Sequence, residues 1–137
     1  MSWLVLLDNE AVHALRNPAH RKHRRVLDEV RITAERKVRA RIVRIVVPSA
    51  VRVEAGWDRT APAWAFINRF PIADIPLDTS HADAAAGIAM RTGVSVADAH
   101  LGAAIQAADA DQVTVLTSDP GDMRKVAEGR QVNVVAL

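Results

Sequence analysis

Apolar residues fall along the chain in two alternating patterns: short unbroken runs, and longer stripes repeated every three or four positions. Residues 3–7, "WLVLL", are an unbroken run that stops at Asp8, which suits a strand buried on both faces. "NEAVHALR" then reads as a short helix, broken near Asn17-Pro18. From about 20 to 40, Val26, Val30, Ala34 and Val38 recur every fourth position with Leu27 beside them. This spacing predicts a helix with its Arg-rich residues off the stripe. "IVRIVV", 42–47, is β-branched and predicts a second strand. Pro48 then falls in the first turn of the next helix, where its missing N–H costs nothing.

Further on, "APAWAFINRF" predicts another short helix and "IADIPL", 72–77, a weaker strand. Two Ala-rich helices, roughly 79–91 and 96–109, are split by Gly93. "QVTVLT", 112–117, predicts a strong strand, followed by a short helix at 120–128 and a last strand, "VNVV", at 132–135. This alternation predicts an α/β fold, a three-layer α/β/α sandwich around a mainly parallel sheet. With 137 residues and no repeat or low-complexity linker, residues 1–137 make one domain.

Composition narrows the classes. Half of the residues are hydrophobic, which supports a sizeable core and excludes a disordered chain. Cysteine is absent, so disulfides and thiolate metal sites are excluded. The apolar run near the N-terminus ends after five residues without a basic lead-in, too short for a signal peptide or a membrane span. A soluble cytoplasmic protein is expected, with no membrane partner. Net charge is only +2, yet eleven of the eighteen Lys and Arg residues lie between Arg16 and Arg44, including "HRKHRR" at 20–25. Such a face suits a polyanion, or is simply a solvated helix surface.

Four acids stand where chemistry is possible. Asp8 directly follows the first strand, and Asp119 follows the strong late strand with Thr117 and Ser118 between. In an open parallel sheet the crevice beyond the strands' carboxyl ends is the usual ligand site. Asp98 opens the helix of "SVADAHLGAAI", and Glu54 lies about two turns into "PSAVRVEAG". A purely structural account covers three of them. Ser95-x-x-Asp98 is a capping-box pattern, Asp119 before Pro120 is a good N-cap with Asp122 three residues later, and Asp8 can cap "NEAV". Glu54 is too deep in its helix to cap it. Among Val51, Val53 and Ala55 it must face solvent or find a partner.

"LLDNEAV", "VPSAVRVEAG", "VADAHLGAAI" and "VLTSDP", in this order, resemble the PIN-domain nucleases and more narrowly the VapC-type toxins of bacterial toxin–antitoxin pairs. The resemblance covers almost the whole chain in element order and size. Each motif is weak alone; four in order are fairly specific. Asp8 matches the family's first acid, Glu54 its helix-borne acid, Asp98 the third, and Asp119 the last, beside a hydroxyl residue. Asp122 resembles a further acid found in part of the family. Asn9 departs from the small or hydroxyl residue that often follows the first Asp. The resemblance implies an endoribonuclease dependent on Mg²⁺ or Mn²⁺ that hydrolyses RNA phosphodiesters. It also implies a homodimeric toxin neutralised by a small cognate antitoxin. In that reading Asp8 and Asp98 bind the metal directly, with Glu54 and Asp119 completing the site. Thr117 or Ser118 hydrogen-bonds a ligand or metal water, and Arg21, Lys22, Arg24 and Arg25 hold the RNA backbone.

Electrostatics agrees with a metal. Two carboxylates about 5 Å apart repel by roughly 3 kcal/mol at an effective dielectric of 20, so a cluster of four must hold protons or cations. Oxygen ligands without Cys or a helical His pair favour Mg²⁺ or Mn²⁺ over zinc. His20 and His23, one turn apart within "HRKHRR", are expected to face solvent or RNA. His100, two positions after Asp98, points elsewhere on its helix. Trp57 and Trp64 read as core or interface residues, and Gly121 in "DPGD" is no phosphate loop. Two alternatives compete. One is a haloacid-dehalogenase-like phosphoryl-transfer enzyme using Asp8 and Glu10. The other is a catalytically idle PIN-like domain that binds RNA or protein.

Overall fold

The computed structural model describes residues 2–36 and 42–137, the side chains of 34–36 excepted. Its strands are β1 (Ser2–Leu7), β2 (Ile42–Pro48), β3 (Ile72–Ile75), β4 (Gln112–Thr117) and β5 (Asn133–Ala136). Its helices are α1 (Asn9–Arg16), α2 (His23–Arg36), α3 (Ser49–Ala55), α4 (Thr79–Thr92), α5 (Val96–Ala107) and α6 (Pro120–Ala127). All strand pairs are parallel, in the order β3-β2-β1-β4-β5. From β1 the chain steps outward to β2 and β3, then crosses back to β4 and β5. Right-handed crossovers therefore put α1–α3 on one face and α4–α6 on the other. Most helix contacts follow that division, α1 packing on α2 and α3, and α5 between α4 and α6, while α3 also packs against α5. The three-layer sandwich expected from the alternation is what forms.

The strand order reverses between β1 and β4. Leu7 pairs with Leu116 in register, so the two strands end level at that switch point. Their buried side chains, Val5, Leu6 and Leu7 against Val113, Val115 and Leu116, are the middle of the core. Helix α5 is buried from Ala99 through Ile105 because its small side chains let it lie close to its neighbours. At Gly102 a Cβ would sit 2.7 Å from Val126 Cβ and 2.8 Å from the Val126 carbonyl oxygen.

Several boundaries differ from those read off the pattern. The helix expected over 20–40 starts at His23, and residues 18–22 form a turn, so "HRKHRR" is divided between turn and helix. Val26, Leu27 and Val30 are buried as the stripe predicts. Val38 and the expected helix end lie outside the described residues. Pro48 closes β2 and is the N-cap of α3, one position before the first turn where it was expected. "APAWAFINRF" makes two 3-10 turns, Pro62–Trp64 and Ile67–Arg69, with Trp64 and Ile67 turned inward. Strand β3 ends at Ile75, since Pro76 has no N–H for the ladder. Trp57 and Trp64 are both buried and stack at 6.0 Å between centroids, so they belong to the core. Among the described residues no helix is long and apolar enough to cross a membrane.

Candidate active site

Asp8 leaves β1 with its backbone N–H donating to the Leu116 carbonyl at 3.2 Å, which carries the ladder one residue past the strand. The residue is buried, 6% exposed. Oδ1 accepts the Ala11 N–H at 2.8 Å and so caps α1. Oδ2 accepts the Ser118 N–H at 3.2 Å, and the Thr117 hydroxyl also donates to the carboxylate. Thr117 is fully buried, and its Oγ1 accepts the Asp119 N–H at 2.9 Å. One carboxylate thus ties together the ends of both switch-point strands. Burial pushes its pKa above the ordinary 3.8, the three hydrogen bonds oppose that shift, and the Glu10 charge adds to it.

Asp98 stands at the third position of α5, where Ser95 Oγ accepts its N–H at 3.1 Å as the capping box requires. Its pKa is pushed up to about 6. Burial is the largest cause, followed by the charges of Asp8, Glu54, Asp122 and Asp119. The structure therefore brings all five acids singled out from the sequence into electrostatic contact around Asp98. Glu54 is exposed on α3, the solvent-facing choice of the two open to it. Asp119 caps α6 by accepting the Asp122 N–H at 3.1 Å on Oδ1. Asp122 Oδ1 lies 3.7 Å from Lys125 Nζ. Capping and clustering coexist, because a carboxylate offers about four lone-pair sites and the hydrogen bonds at Asp8 and Asp119 leave at least one free.

His100 plays a part that the sequence reading did not assign. Pro48 has no side-chain acceptor, so the first N–H groups of α3 need one from elsewhere. His100 Nδ1 takes the Ala50 N–H at 3.3 Å, joining the helix that carries Asp98 to the helix that carries Glu54. Burial and the His81 ring hold His100 below its ordinary pKa, opposed by the Pro76 carbonyl and Asp78. It therefore stays neutral and able to accept. A helix N-terminus without a capping side chain was the available signal. At the far end of α3, Arg52 donates to Asp74 at 2.8 Å and to the Trp57 carbonyl at 3.2 Å.

The basic residues divide. Arg21 and Lys22 lie in the turn before α2, whereas Arg24 and Arg25 sit on α2 near Asp28 and Glu29, at 3.7 and 4.0 Å. His20 and His23 are engaged locally, His20 Nε2 at 3.1 Å from Glu10 and His23 Nδ1 at 2.8 Å from the Ala14 carbonyl oxygen. Beside Glu54, an apolar groove of about 410 Å³ is lined by Ala50, Val53, Leu77, Val96 and Ala97 with Ser49.

Among the described residues no three His, Asp or Glu side chains close on a single point as a ready-made metal cage. The donors are nevertheless hard oxygens, and burial together with their negative charge keeps a proton on Asp98 up to about pH 6. The buried Asn9 Oδ1, which follows Asp8, lacks a donor among the described residues. Mg²⁺ typically takes one or two carboxylates and keeps several waters, a demand that this looser set fits.

No family model matches the chain, and no curated protein matches it in sequence. Solved structures do match in fold. VapBC2 from Rickettsia felis, bound to a DNA fragment from its promoter, superposes with a TM-score of 0.61 at 9% identity, covering 98% of each chain. FitAB bound to an IR36 DNA fragment gives a TM-score of 0.53 at 18% identity, covering 96% of this chain and 94% of that one. The five-stranded parallel sheet flanked by helices is the PIN-like fold of these neighbours.

Proposed function

We propose that the chain is a divalent-metal-dependent endoribonuclease that acts as the toxin of a VapBC-type pair. One observation carries this reading: Asp8, Glu54 on α3, and Asp119 and Asp122 at the start of α6 crowd a half-buried Asp98 at the sheet's switch point, and burial together with these four charges raises its pKa to about 6. Structural caps alone have no need to meet. Likeness in fold to VapBC2 and FitAB supports the same reading. Asp8 and Asp98 would hold Mg²⁺ or Mn²⁺, with Glu54 and Asp119 completing the site and Asp122 at its edge. When bound, the metal supplies a water of lowered pKa and neutralises the leaving oxygen. Thr117 and the Ser118 N–H keep Asp8 aimed, and His100 keeps Glu54 and Asp98 on facing helices. A small antitoxin and a second copy of the chain are the proposed protein partners. Val53 and Val96, 82% and 66% exposed, offer apolar surface for such a partner.

The test is cleavage of a cellular RNA pool with and without Mn²⁺, followed by mapping of the ends. Wild type should cut only with metal, and Asp98→Asn should abolish cutting and growth arrest while remaining folded. Full activity in Asp98→Asn would defeat the assignment. That no three-ligand cage is preformed among the described residues leaves a second reading, an idle PIN-like binding domain. Calorimetric titration separates the two, because silence at millimolar Mn²⁺ selects the idle scaffold. The phosphatase alternative needs Glu10 to work beside Asp8, whereas Glu10 faces His20 and Lys22 in the turn before α2.

A further inference from the structure

The chain does not run away from the acids after α1. Residues 17–22 turn back along that helix until His20 Nε2 is 3.1 Å and Lys22 Nζ 3.7 Å from Glu10 Oε1, in the first turn of α1 and two residues past Asp8. The turn is tied internally. Asn17 Oδ1 accepts the Ala19 N–H at 3.0 Å, and the Asn17 carbonyl accepts the His20 N–H at 2.9 Å. His20 Nδ1 accepts the Lys22 N–H at 3.0 Å, which leaves the ring proton on Nε2 to be donated to Glu10. Between these anchors Arg21 is exposed, with no ion pair among the described residues. The Lys22–Glu10 contact is too long for a hydrogen bond, so it is a charge contact that another anion can replace.

We infer that the His20–Lys22 turn is a phosphodiester-holding subsite for single-stranded RNA beside the acid cluster, and that Glu10 positions the turn while competing with the phosphate for Lys22. The inference rests on the ribonuclease reading for the identity of the polyanion. Glu10 stands in the first turn of α1, which Asp8 caps, so the turn that Glu10 holds lies at the same end of that helix as Asp8. Arg24 and Arg25 fit this task less well. They stand on α2 beside Asp28 and Glu29, and among the described residues neither has an ion pair with Glu10 that would tie it to the Asp8 end of α1.

Binding of a short fluorescein-labelled single-stranded RNA, followed by anisotropy in EDTA across a salt series, tests this without cleavage. Each lost phosphate contact should reduce the slope of log K against log salt by about 0.7, a weakening of about fivefold at 0.1 M salt. Arg21→Ala and Lys22→Ala should each show that loss, and the double change at Arg24 and Arg25 should cost less than either. Glu10→Gln keeps the acceptor for His20 but removes the competing charge, so it should bind severalfold tighter. A merely structural Glu10 would not produce tightening. Thermal melts of each variant confirm folding. The inference is overturned if Glu10→Gln fails to tighten binding, if the α2 arginines matter as much as the turn, or if no salt-dependent binding occurs. The expected binding pattern without Mn²⁺-dependent cleavage keeps the subsite and removes the nuclease reading. Asp98-dependent cleavage with a turn insensitive to substitution removes the subsite alone.

Discussion

Replacing Asp98 with Asn should stabilise the protein at neutral pH even as it removes a proposed metal ligand. Folding raises the Asp98 pKa from 3.8 to about 6, so ionised Asp98 opposes the folded state. A rise of that size corresponds to about 3 kcal/mol. Asp98 is only partly buried, and solvent screening reduces the figure to about 1–2 kcal/mol. Asn also gives up the favourable charge in the first turn of α5, worth about 0.3–1 kcal/mol. The backbone half of the capping box, the Asp98 N–H to Ser95 Oγ, survives the change. The net expectation is a gain of about 1 kcal/mol at pH 7.5, or roughly 3–5 °C in Tm for a chain of this size.

The sign follows from linkage. Below the unfolded pKa of 3.8 both states hold the proton and the residue contributes nothing. Between 3.8 and about 6 the unfolded state ionises first and wild-type stability falls; above that window the loss is complete. The advantage of Asp98→Asn should therefore open between those values and be flat at higher pH. Thermal unfolding of both proteins in EDTA, followed by circular dichroism from pH 4 to 8, measures it. A variant equal to or less stable than wild type at pH 7.5 would refute the idea that burial and the neighbouring acids raise the Asp98 pKa.

Other expectations follow from the same geometry. Mn²⁺ at ten times its Kd should stabilise wild type by about 1.4 kcal/mol at pH 7.5 and clearly less at pH 5, because the proton on Asp98 competes with the ion; equal gains at both values would count against Asp98 as a ligand. His100→Ala removes a fully buried ring and strands the Ala50 N–H, so urea denaturation should show a loss of about 2–4 kcal/mol. Gly102→Ala should cost about 1–3 kcal/mol, since its methyl would meet the Val126 backbone, which cannot simply rotate away; a neutral substitution would mean that α5 and α6 are not so closely packed.

Much of this molecule could be read from local pattern. The run "WLVLL" had to be a buried strand, and β1 occupies it; "QVTVLT" likewise became β4. Ser95, Asp119 and Asp8 cap their helices as their positions implied, because a cap needs only a side chain and an N–H three residues away. Local pattern failed where distant segments compete for the same groups. The "HRKHRR" stretch looks uniformly helical, yet Glu10 and the Asn17 side chain hold its first residues in a turn. "APAWAFINRF" gave way to 3-10 turns as Trp64 stacked on Trp57. His100 acquired its partner only when α5 crossed the start of α3. The acids themselves were visible one by one, but their mutual repulsion was not. Coulomb energy depends on separation in space, and that separation follows from the reversal of strand order between β1 and β4.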